Sequence, residues 1–194
     1  MRPIIVFLAR TMALLGGLVL TALVILTCLS VLGRGLNTLG HSDLLEGLAP
    51  GLAAWLIGTG VGPISGDFEL VQSGMAFAVF AFLPICQLRG AHATVGIFTD
   101  PLSPRTNAAL IAFWEVVMAL VMLVIAWRLS VGLIDKYGNG QTTFLLQYPV
   151  WWSYAASLAA ALVAALVALY CAVARVAEAL TGQLWLPREG EADY

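Results

Sequence analysis

Residues 70–88 contain no charged side chain, yet Asp67 and Glu69 stand just before them and Arg89 just after. In a bilayer, an apolar run of this length satisfies its backbone only by hydrogen-bonding to itself as a helix. The pattern recurs along the chain. Runs at residues 11–32, 68–88, 108–131 and 150–176 are each long enough to cross a hydrocarbon core of about 30 Å, which takes about 20 helical residues. Only the third run holds an acid well inside it, Glu115. The expected fold class is therefore an all-α membrane protein, one membrane domain over residues 1–194 with four transmembrane helices.

Composition supports the same reading. Hydrophobic residues make up 61% of the chain and charged residues 10%, where a soluble domain carries about 25% charged residues. The net charge of −2 supplies no basic field for nucleic acid. Cys28, Cys86 and Cys171 lie inside or at the end of apolar runs and form no CxxC, which suits packing better than metal binding or disulfides. His41 and His92 are the only histidines and both lie outside the runs. A multi-haem membrane cytochrome needs axial ligands within its helices, so that class is disfavoured. No GxxxxGK[ST], GxSxG or HExxH motif is present. No enzyme activity, cofactor or metal site is expected.

Arg2 and Arg10 precede the first run, an arrangement that mimics a signal peptide. At about 22 residues the run exceeds the usual apolar core of about 7–15, and no A-x-A-like site closes it. It is expected to remain as the first span. Lysines and arginines then set the orientation. Arg2, Arg10, Arg89, Arg105, Arg175 and Arg188 fall on one side; Arg34, Arg128 and Lys136 fall on the other. Both termini are expected to be cytoplasmic. The first loop, residues 33–67, has an apolar middle broken by Gly and Pro. A short interfacial or re-entrant segment is expected there, with Trp55 at headgroup level. A fifth span is the competing reading.

The residues with chemistry lie near span ends. Asp67 and Glu69 complement the free N–H groups and dipole of the second helix, or pair with an arginine of a neighbouring subunit. Arg89 and His92 follow its C-terminal end, where cations are favoured, and Gly90 suits a left-handed cap. Glu115 lies one to two turns from the cytoplasmic end of the third span; pairing with Arg105 or Arg89 is expected more than a proton role, which needs a polar partner at similar depth. Tyr148, Trp151, Trp152 and Tyr154 form an aromatic belt at the start of the fourth span. Ala156, Ala160, Ala164, Ala168 and Ala172 recur every four residues along it. Such a stripe lets another helix come close, either within the chain's own bundle or from a partner.

These motifs, taken in order, resemble a known family. Arg34 stands in V-L-G-R, Glu69 in F-E-L-V, and Arg89-Gly90-Ala91-His92 is followed by A-T-V; Q-T-T-F-L-L-Q-Y-P-V-W-W-S-Y then leads into the fourth span. The set resembles the small membrane subunit of tripartite ATP-independent periplasmic (TRAP) transporters, the DctQ type. The likeness covers the chain except for residues 41–66, which look like an insertion. It implies a scaffold subunit in the bacterial inner membrane. Its implied partners are a large membrane subunit, which carries out sodium-driven transport of organic anions, a periplasmic substrate-binding protein, and membrane lipids. Sodium is then expected on the large subunit and not on this chain. Arg34, Glu69, Arg89, His92, Glu115, Trp151, Trp152, Ala156, Ala160, Ala164 and Ala168 become candidates for subunit contacts or membrane anchoring. An autonomous small channel or exporter, or an accessory subunit of a membrane redox complex, is the alternative.

Overall fold

The computed structural model describes residues 2–91 and 103–182. The described chain is helical: α1 (Arg2–Gly40), α2 (Asp43–Leu48), α3 (Pro50–Gly58), α4 (Asp67–Arg89), α5 (Pro104–Asn139) and α6 (Trp151–Thr181). Among the described residues, four helices (α1, α4, α5 and α6) are long and apolar enough to cross a membrane. They match the four expected spans, and the first loop adds no fifth.

The helices overrun the apolar stretches that define them. With 39 residues α1 is about 58 Å long, and with 36 residues α5 is about 54 Å. A core of about 30 Å leaves both protruding. Their ends carry recognisable signals. Ser103 caps α5, its hydroxyl accepting the Thr106 N–H at 3.3 Å with Pro104 following. Gly90 ends α4 at φ 61°, with the Ala91 N–H donating to the Cys86 carbonyl at 3.0 Å and the Gly90 N–H to Gln87 at 3.3 Å. These two bonds are a Schellman closure, the left-handed cap expected of this glycine.

Helix α6 occupies the centre, packing on α5 along one side and on α4 along another, while α1 lies chiefly on α4. Two apolar clusters share it. Ile5, Ala9 and Leu88 meet Val167, Cys171 and Ala174 between α1, α4 and α6. Ala119 and Met122 of α5 meet Ala164, Ala165, Ala168 and Ala172. The alanine stripe is thus consumed within the chain: Ala160, Ala164 and Ala168 are buried, and Ala156 alone of the four site candidates is exposed. Small side chains let the helix backbones approach, so close van der Waals contact replaces the hydrophobic drive that lipid does not supply. Gly16 does the same between α1 and α4, where an added Cβ would lie 2.9 Å from Ala81 Cβ.

The first loop folds back along the protruding end of α1. Ser30 donates to an Asp67 carboxylate oxygen and accepts the Ile64 N–H at 3.2 Å, which sets the start of α4 level with Ser30. Gly40, ten residues later, packs against Leu56 and Ile57 of α3. That is about 15 Å further along α1. The segment expected to be interfacial or re-entrant is a pair of short helices, α2 and α3, with α3 packed against the last turns of α1. Trp55 is exposed on α3.

Candidate functional site: two polar ends of the bundle

The polar side chains that the fold brings together gather at opposite ends of α4. At its start, Glu69 is bonded within the chain. One carboxylate oxygen accepts the Leu145 N–H at 2.7 Å and the other accepts the Leu146 N–H at 2.9 Å. These amides belong to the loop between α5 and α6, which closes on itself through Thr143 N–H to Tyr148 and Val150 N–H to Gln141, both at 2.9 Å. A carboxylate accepting two backbone N–H groups is a strong, charge-assisted clamp. Gly66 makes room for it: at φ 80°, it has Leu146 Cγ only 2.4 Å from where a Cβ would stand. Asp67 is likewise occupied, by Ser30 and by the Phe68 N–H at 2.7 Å.

A chain of hydroxyls continues inward from this clamp. Tyr148 donates to the Glu69 carbonyl at 3.1 Å. Its single proton is then used, so in its contact with Ser73 the serine is the donor. Ser153 in turn donates to Ser73 at 2.8 Å. The relay Ser153–Ser73–Tyr148–Glu69 ties α6, α4 and the loop together. It borders a cleft of about 710 Å³, lined further in by Ala76, Phe80, Leu129, Tyr154 and Ser157. The expected aromatic belt surrounds the same end. Trp151 meets Tyr137 edge-on at 5.5 Å and Trp152 at 6.2 Å, and Trp152 stacks on Tyr148 at 6.5 Å.

At the other end, Glu115 of α5 accepts a hydrogen bond from Gln87 of α4. Gln87 is 6% exposed, and its carbonyl also faces the Cys171 thiol at 3.8 Å. One turn along α6, Arg175 and Glu178 form a buried ion pair at 2.8 Å. Sequence reasoning placed the arginines of the loop near Glu115 and did not find Gln87; it used Arg175 only as a topological charge. The signal was present, since Arg175 and Glu178 are opposite charges three residues apart on one helix. Glu115 thus has the polar neighbour at similar depth that the sequence left invisible. Arg34 and Arg89 are exposed. His92 lies outside the described residues.

The middle of the bundle contrasts with both ends. Between Ser73 and Gln87, α4 presents only apolar side chains and Gly74. Among the described residues, no cluster of three or more His, Cys, Asp or Glu side chains could hold a metal ion. A four-span helical bundle with its polar groups knotted at the ends defines a multi-pass membrane protein. The chain matches the family described as tripartite ATP-independent periplasmic transporters, DctQ component, over residues 23–179, and belongs to it. It is a component of a TRAP transporter, not an enzyme, and a component implies partner subunits. No curated protein and no solved structure matches the chain.

Proposed function

We propose that this chain is a non-transporting scaffold in a sodium-coupled, binding-protein-dependent transporter for organic anions. In this reading it braces the large membrane subunit and helps receive the periplasmic binding protein. Sodium and substrate bind the large subunit. The observation that carries the proposal is the distribution of polarity. Transport sites lie near the bilayer midplane, on broken helices or intramembrane charges. Here Glu69, Asp67 and Glu115 are bonded at the ends of the bundle, and the middle is apolar.

The distribution of lysine and arginine supports cytoplasmic termini in a bacterial inner membrane, with the Glu69 end outward. Exposed Arg34 and Arg89 then anchor opposite ends of the bundle at headgroups or partner loops. The exposed flank of α6, including Ala156 and Trp152, and the lipid-facing side of α1 are the surfaces left for the large subunit. Reconstitution tests this directly. Proteoliposomes with this chain alone should accumulate no substrate under a sodium gradient, and those with the large subunit and binding protein should. Uptake by the chain alone would overturn the proposal.

A further inference from the structure

The cleft beside the hydroxyl relay has the depth, size and charge of a lipid site. It begins at Glu69 and reaches Phe80. Those eleven steps from residue to residue span about 16 Å along α4, roughly one leaflet of a 30 Å core. Its rim is exposed, at Phe68 and Phe144. The cleft offers about 710 Å³, and its length suits a flexible acyl chain running with the bilayer normal.

Two polar features sort the lipids. Glu69 is the only charged residue in the lining. Its oxygens accept loop amides but keep further lone pairs and the negative charge. The mouth therefore repels an anionic headgroup and attracts an ammonium. Deeper in, Ser157 is 3% exposed and lines the cleft, and its Oγ has no hydrogen-bond partner among the described residues. An orphaned hydroxyl in apolar surroundings is unfavourable. It lies one turn of α6 inward from Ser153, below the headgroup level set by Glu69, where an acceptor such as an ester carbonyl would lie.

We infer that this cleft binds one phospholipid with an amine headgroup. The ammonium faces Glu69, an ester carbonyl accepts from Ser157, and an acyl chain lies along Ala76, Phe80 and Leu129.

Native mass spectrometry of the purified full chain, offered phosphatidylethanolamine or phosphatidylglycerol of identical acyl chains, reads the site. The first lipid should be retained at one copy, about five-fold or more in preference to the second, as expected when the attraction of one ammonium for Glu69 is lost and the phosphate is common to both. Glu69→Gln should erase the preference. Ser157→Ala, which removes the donor without adding bulk, should leave the delipidated protein folded and reduce retention of phosphatidylethanolamine. The lipid-dependent gain in melting temperature should shrink in both variants. Equal retention of the two lipids, or an unchanged preference in Glu69→Gln, overturns the inference. So does a structure of the assembled transporter in which large-subunit side chains fill the cleft.

Discussion

Helices α1 and α6 are equally apolar, with mean hydropathies of 2.5 and 2.4 over their most apolar windows, yet 6% of one window is buried and 50% of the other. Hydropathy does not distinguish them; side-chain size does. Alanine dominates the buried face of α6, beside Val167 and Cys171, and large residues face outward at Leu162, Leu166, Leu169 and Val173. In α1, Leu14, Leu18, Val24, Ile25 and Leu29 are exposed in the same way, but its small buried residues, such as Ala9, Gly16 and Ser30, are spaced too widely to make a continuous seam. One apolar helix therefore organises the bundle, and the other lends it a surface. In a membrane, apolarity alone earns no place in a core, because lipid is as good a solvent as a neighbouring leucine.

Substitutions can break or sharpen this contrast. The largest loss should follow Glu178→Ala in α6. It removes the carboxylate from a buried ion pair with Arg175 and should cost about 3–5 kcal/mol, read as a fall in the melting temperature of the purified protein. A double change, Arg175→Met with Glu178→Leu, that recovers most of that stability would trace the cost to the broken ion pair. Next comes Ala164→Phe, 2% exposed between α5 and α6, where overpacking should cost about 1–3 kcal/mol. A neutral result in the same melting assay would mean that the α5–α6 contact is looser than described.

Glu69→Gln should act locally. Amide hydrogen exchange at Leu145 and Leu146 should quicken while exchange in the middle of α6 stays unchanged; protection kept at both loop amides would show that the carboxylate is not their anchor. The smallest effect should come from Leu18→Ala on the exposed side of α1, within about 0.5 kcal/mol for the isolated chain. The same change is informative in the complex. Weaker co-purification with the large subunit would mark that face as an interface, and unchanged co-purification would leave it to lipid.

Much of this was legible in the residues. Four long apolar runs announced four spans, and Gly90 announced its cap, because a span and a left-handed turn are local demands. The ends of α1 and α5 were not legible, since helices that protrude need no apolar run to continue. The alanine stripe declared a close contact but not its owner: periodicity tells which residues share a face, and only the fold tells what meets that face. Glu69 was legible as a helix-start acid. Its bonds to Leu145 and Leu146, about 76 residues away, were not. Gln87 was passed over because a polar residue in the last turn of a span has an ordinary explanation at the headgroups.

By itself the sequence determined that this chain lives in a membrane, how many times it crosses, and that its charges stay near the ends. Burying a charge or an unpaired backbone in hydrocarbon is so costly that composition along the chain settles those points. The tertiary structure decided which helix is central, that the Glu69 carboxylate is bonded within the chain, that Glu115 has a buried neighbour, and where a cleft remains. Those outcomes depend on contacts between segments far apart in the chain. In lipid such contacts form through side-chain fit and hydrogen bonding, which hydropathy does not record.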